Sequence, residues 1–242
     1  MLGTVAGYLV LPLPILGVFS VALSLSGPRG RESLPLLSPF LLGLLCFVIA
    51  FFLTSALHLG EAETVVGSGI PSILIAGVVL GSAAGFGAFC IEKWLSRQFY
   101  RRRRREQAIA KSALPASLQF IGLPSSDESF SGVRNIARVP WLFVITSMWT
   151  ITGEELLYRG VVVIGGVSVG LDPVVAVALQ GIFYSLNHLA FGIPALFGKL
   201  IFGVLLGLVA LLTGSVLPCL VVHAVYQLLV YRQMATQRLV VS

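Results

Sequence analysis

Charge is what this sequence has least of. Of 242 residues, ten are acidic and sixteen basic, so charged residues reach only 11% while hydrophobic ones reach 57%. A water-soluble chain of this length needs far more charge to cover its surface, which excludes an ordinary soluble domain. Cysteine is also scarce. Cys46, Cys90 and Cys219 sit in or beside apolar runs with no paired spacing, which argues against a disulfide framework or a thiolate metal site. The three histidines are His58, His188 and His223, so imidazole chemistry has few places to reside. MLGTVAG, at the start, carries no basic residue ahead of its apolar stretch, and no cleaved signal peptide is expected.

What fills the sequence instead is long apolar runs, with a mean hydropathy of +0.96. A bilayer-crossing helix needs about 20 mostly apolar residues. That ruler predicts an all-α, polytopic transmembrane helix bundle of about seven spans, near 2–25, 36–58, 70–91, 139–163, 172–192, 196–213 and 215–231. An eighth, interfacial helix is compatible with the same pattern. The chain divides into four regions: a three-span N-terminal part (1–92), a basic loop with room for an amphipathic helix (93–138), a four-span part (139–231) and a tail (232–242).

The basic residues orient the bundle. Seven of the sixteen lie between Lys93 and Arg105, in IEKWLSRQFYRRRRR, directly after an apolar run. This is the pattern of a cytoplasmic juxtamembrane segment, with Arg101, Arg102, Arg103, Arg104 and Arg105 placed to meet anionic lipid. No nucleic-acid reader fold accompanies the patch, so no nucleic-acid partner is expected. With the 93–138 loop cytoplasmic, alternation puts the N-terminus outside. Arg29, Arg31, Lys199, Arg232 and Arg238 then fall inside, and the acidic LGEAETVVGSG falls outside. The expected location is an integral, multi-pass membrane protein, in the plasma membrane if the source is prokaryotic.

Against this background a few polar residues stand out. Glu154, Glu155 and Arg159 lie on the fourth expected span, His188 on the fifth and His223 on the seventh. His58, Asp172 and Lys199 sit at span ends, where headgroups are in reach. Glu155 and Arg159 are four apart and can pair on one helix face. Glu154 points about 100° away and needs a partner from another helix, or water, or a proton. Tyr184 and His188 share a face with Asn187 beside them, as do His223 and Gln227. One hydrated cavity lined by three helices explains all of them.

Interhelical contacts of this kind contribute only about 0.6 kcal/mol each, whereas inserting an ionisable group costs about 2.5–3.5 kcal/mol. Structural glue is therefore a weak explanation. A proton-coupled transporter and a non-catalytic scaffold remain open. A carboxylate near two imidazoles can activate water, and the second of those imidazoles with an amide can stabilise an oxyanion, which together describe a hydrolase.

EELLYR at 154–159 matches the EExxxR motif of the CAAX-protease and bacteriocin-processing family (CPBP, or Abi) of intramembrane proteases. YSLNH at 184–188 resembles the family's FxxxH, with Tyr184 in the Phe position. HAVYQ at 223–227 resembles its HxxxN, with Gln227 in place of Asn. The three occur in family order over residues 139 to 231.

The resemblance implies a glutamate-dependent, CAAX prenyl protease-like endopeptidase. In that mapping Glu154 and His188 activate water, while His223 and Gln227 meet the oxyanion. Glu155 and Arg159, with Tyr184 and Asn187 beside the motifs, orient the site. The implied substrate is a peptide or protein, prenylated or membrane-embedded, and bacteriocin immunity without catalysis is the alternative. Relatives are often described as metalloproteases. Glu154, His188 and His223 could compose a zinc site, but no HExxH pair is present, so no metal cofactor is expected.

Overall fold

A computed structural model of the chain describes residues 28–57, 59, 71–113, 139–189 and 193–239. Among the described residues all regular structure is helical: α1 (Pro28–Ala56), α2 (Pro71–Ala113), α3 (Pro140–Glu155), α4 (Pro173–Leu186), α5 (Ile193–Thr213) and α6 (Leu217–Leu239). The α3 helix does not end at Glu155. It runs on through a π-helical stretch (Leu156–Gly165) and a last α turn (Gly166–Ser168).

Proline opens most of these helices, since its missing N–H and fixed φ suit the first turn. Pro28, Pro71, Pro140 and Pro173 are each the first residue of theirs. Asp172 caps α4, its Oδ1 accepting from the backbone N–H groups of Val174 (2.9 Å) and Val175 (3.1 Å). This is the span-end position the sequence suggests for it. His58 lies outside the described residues, as does the expected first span at 2–25.

The all-helical membrane bundle is therefore present, but the span count is met only in part. Among the described residues three helices are long and apolar enough to cross a bilayer, through Pro39–Ala56, Pro71–Phe99 and Ile193–Thr213. The 14 residues of α4 rise only about 21 Å, short of the hydrocarbon core. In α3 and its π continuation the apolar run is broken by Glu154, Glu155 and Arg159. The α2 helix outruns its expected end at 91 and carries the arginine run as helix to Ala113. Hydrophobicity stops there but helix propensity does not, because Arg, Glu, Gln, Ala and Lys all favour helix.

The core gathers where α1, α2, the π stretch, α4, α5 and α6 meet, around Leu53, Tyr158, Val162, Tyr184, Phe202, Leu206 and Tyr226. Close approach depends on glycine. A Cβ on Gly153 would sit 2.8 Å from the Gly43 carbonyl oxygen, so α1 and α3 touch backbone to backbone one residue before Glu154. Gly181 and Gly203 meet similarly between α4 and α5, and there Gln180 Nε2 donates to the Gly203 carbonyl at 2.7 Å. Gly153→Val should therefore force α1 away and destabilise the fold by about 1–3 kcal/mol. Unfolding of the purified protein in lipid or detergent, read by helicity, checks this; an unchanged midpoint would contradict the contact.

Candidate active site

The site begins with the two adjacent carboxylates at the end of α3. Successive helical residues point about 100° apart, so Glu154 and Glu155 address different neighbours. Glu155 is fully buried and Glu154 is 2% exposed. Arg159, one turn on, donates from Nη1 to Glu155 Oε1 at 3.0 Å. This is the pairing expected from the four-residue spacing. The guanidinium also lies over the Tyr184 ring, 4.5 Å from its centroid.

His223 of α6 stands between the carboxylates. Its Nδ1 is 2.7 Å from Glu155 Oε1, and its Nε2 is 4.0 Å from Glu154 Oε2. An ionised carboxylate only accepts, so Nδ1 carries the proton and Nε2 of the neutral ring presents a lone pair. Tyr184 of α4 points its hydroxyl at the same Nε2, at 3.4 Å. The imidazole facing Glu154 at this distance is thus His223, whereas the resemblance gives His188 that task.

His188 comes in on the other side of Tyr184. Its ring centroid is 4.9 Å from that of Tyr184, and its Nδ1 is 2.9 Å from the Tyr184 carbonyl oxygen. A carbonyl also only accepts, so His188 too keeps its proton on Nδ1. The two imidazoles flank one tyrosine, with the His223 ring edge-on to it at 6.0 Å. Beside His188, Asn187 donates from Nδ2 to the Tyr158 hydroxyl at 2.7 Å. Gln227 faces elsewhere: its Nε2 reaches Ser147 Oγ of α3 at 3.5 Å, the outer limit of a hydrogen bond.

Glu154, Glu155, Arg159, Tyr184, Asn187, His188 and His223 are therefore drawn into one neighbourhood by α3 with its π continuation, α4 and α6. Polar capacity remains in it. Glu155 Oε2 and the Nε and Nη2 of Arg159 are buried and have no hydrogen-bond partner among the described residues. Also among the described residues, no three His, Cys, Asp or Glu side chains form a group able to hold a metal ion.

Further residues belong to the same region although their sequence context hides them. The sequence places Lys199 at the headgroups, yet it is 8% exposed and points inward. Its ammonium is 3.9 Å from Glu92 Oε2 and 3.9 Å from the Tyr226 ring centroid. Glu92 belongs to α2, in the three-span part, where the sequence singles out no candidate site residue. Its place at the edge of a solvated basic run conceals it. Tyr158, inside EELLYR, reads as a spacer but is fully buried, and a Tyr amid apolar positions needs a hydroxyl partner.

Residues 136–229 match the family model described as type II CAAX prenyl endopeptidase Rce1-like. The matched segment carries the three motifs, agrees with the resemblance they show, and takes in α3, α4, α5 and most of α6. The α1 and α2 helices lie outside it. No curated protein and no solved structure matches the chain.

The Glu155–Arg159 pair supports its own prediction. Arg159→Met leaves a buried carboxylate with one donor fewer and should destabilise the protein by about 3–5 kcal/mol. The double change Glu155→Gln with Arg159→Met should cost less than the single one. Denaturant titration in a fixed detergent measures both, and a double variant no more stable than Arg159→Met alone would contradict the pairing.

Proposed function

We propose that this chain, whose residues 136–229 form a domain of the Rce1-like family, is a CAAX-protease-type intramembrane endopeptidase in which Glu154 activates water without a metal ion. The observation that carries this reading is the buried confrontation of Glu154 with His223, whose ring is held from behind by Glu155. A water hydrogen-bonded at about 2.8 Å to both Glu154 and Nε2 would be bent by about 90° between them, an ordinary geometry. Both acceptors polarise its O–H bonds, and the proton passes to Glu154 as the oxygen attacks the peptide carbonyl.

The imidazoles serve the steps around that attack. With Nδ1–H committed to the Tyr184 carbonyl, His188 offers Nε2 as an acceptor that shares the activation of water with Glu154. The attacking oxygen keeps the water's second proton until the tetrahedral intermediate collapses. His223 Nε2 then accepts it, the Glu155 carboxylate on Nδ1 stabilises the resulting imidazolium, and Nε2–H hydrogen-bonds the carboxylate oxygen that was the oxyanion. Glu154 returns the proton it received to the leaving amine, which balances the hydrolysis. Gln227 assists at the oxyanion after its amide leaves Ser147, a contact long enough to give up at little cost. Arg159 holds Glu155 in place, while Asn187 and Tyr158 fix the turn that carries His188.

The substrate in this reading is a peptide or protein that reaches the site through the bilayer, with a prenylated C-terminal peptide as the type implied by the family description. The reading retains about seven or eight spans, an outside N-terminus and a cytoplasmic 93–138 segment, with Arg101 to Arg105 against anionic lipid. Arg101 and Arg102 are exposed at the end of the apolar part of α2, as that role requires.

Glu154→Gln preserves size and removes the base. Purified in lipid, this variant should lose peptide cleavage by about 10²–10⁴-fold while its unfolding midpoint stays close to that of the parent. A folded variant that still supports the protein's biological activity would favour the scaffold or immunity reading, and Glu154-dependent flux without peptide product would favour a transporter. Cleavage should also survive prolonged chelation. Activity lost to a chelator and restored by zinc would replace the metal-free mechanism.

A further inference from the structure

Beyond the motif residues, the bundle holds a second polar cluster, built from half-buried Glu92 of α2 and the buried Lys199 of α5 and Tyr226 of α6. The Tyr226 hydroxyl donates to Glu92 Oε2. The Lys199 ammonium lies against both, over the Tyr226 ring and 3.9 Å from the same carboxylate oxygen. The sequence prepares the place for Glu92. A Cβ on Gly198 would fall 2.6 Å from Glu92 Cβ and Cγ, so only glycine at 198 admits this side chain.

This cluster touches the candidate active site through rings. Tyr226 stacks on Phe202 with centroids 4.3 Å apart and planes 29° apart, and Phe202 meets the His223 ring edge-on at 5.4 Å. Tyr226 lies three residues after His223 on α6, and Phe202 three after Lys199 on α5, so each pair shares a helix face. The rings of Tyr226 and Phe202 are fully or almost fully buried, leaving little freedom to absorb a displacement. A shift of the Tyr226 hydroxyl is thereby passed to the wall against which His223 rests.

We propose that Glu92, which lies outside the family-matched segment, is a positioning residue of the active site: it fixes Tyr226 and Lys199 and, through the Tyr226–Phe202 stack, the orientation of His223. The kinetic part of this inference rests on the peptidase reading; the geometric part does not. The candidate active site is then completed by the N-terminal half of the chain rather than merely enclosed by it.

Two substitutions in the full-length protein reconstituted in lipid test the inference. Glu92→Gln removes the charge but keeps an acceptor for Tyr226; Gly198→Ala displaces Glu92 without altering its chemistry. Ring-¹⁵N-labelled histidine gives a direct view of His223, whose signals are assigned by their loss in His223→Asn. Both substitutions should move the His223 ring signals. On a peptide cleaved in a Glu154-dependent manner, both should lower kcat by about tenfold or more with KM within about twofold, as expected when a reacting group is misplaced. Adding Lys199→Met to Glu92→Gln should restore part of the loss, because the uncompensated ammonium is removed with its partner. Unmoved His223 signals in both variants would overturn the proposal. So would a kcat loss that only tracks a fall in the unfolding midpoint. If the parent protein cleaves no peptide, the peptidase reading fails, and the His223 signals alone still decide the role of Glu92.

Discussion

One carboxylate oxygen organises the interior of this bundle. Glu155 Oε1 accepts from Arg159 on its own helix and from His223 on α6, at 3.0 and 2.7 Å. Neither contact is replaceable by water from outside, since all three residues are buried. An ionised carboxylate in such a place is costly unless a cation and further donors meet it, and here both are supplied. The result is positional. The shared oxygen ties α6 to the end of α3, sets which nitrogen of His223 holds the proton, and leaves the other nitrogen facing Glu154. Glu154 confronts that nitrogen across 4.0 Å. Two neighbouring residues of one chemical type therefore take different parts, one tied into the fold by two hydrogen bonds and the other facing a ring nitrogen across a gap.

Periodicity explains how much of this is legible in the sequence. The Glu155–Arg159 pair comes from a spacing of four, and the need of Glu154 for a partner elsewhere comes from its angle around the helix. That α4 and α6 contribute the imidazoles is legible because Tyr184–His188 and His223–Gln227 repeat the same spacing. Which imidazole faces which carboxylate is not legible, since a helical wheel gives direction and no distance. Gln227 shows the limit: it shares a face with His223 but sits one turn further along, and α3 offers it Ser147 instead. The family match spans all three motifs, and leaves their separations to the coordinates.

The π-helical stretch after Glu155 is also beyond reach of pattern reading. Its ten residues, LLYRGVVVIG, would serve equally well in an α-helix by composition. A π turn takes in an extra residue and so changes the angle between the residues on its two sides. Here it begins immediately after the two carboxylates. The apolar side chains of Val161, Val162 and Val163 are consequently all buried, an outcome that a single α-helical stripe facing one neighbour does not produce. The stretch is enclosed on several sides by α1, α4 and α5.

Lys199 and Glu92 escape pattern reading for a physical reason that bears on the bundle as a whole. A lysine near a helix end is expected to extend toward headgroups, because its stem is apolar and its ammonium seeks water. That expectation holds only while no better counter-charge lies inside. At 3.9 Å and an effective dielectric of about 20, the gross attraction to Glu92 is about 4 kcal/mol. Withdrawing the ammonium from water costs several kcal/mol, and the half-buried carboxylate adds to it, so the pair alone does not justify the inward lysine. The hydroxyl of Tyr226 and the face of its ring supply the remainder, and both come from α6. The inward lysine is thus conditional on three helices at once: α2 for the carboxylate, α5 for the ammonium and the gap at Gly198, and α6 for the tyrosine. A polar group buried under that many conditions marks a boundary between helices that cannot slide independently, and it joins the segment carrying the motifs to the helix that precedes it.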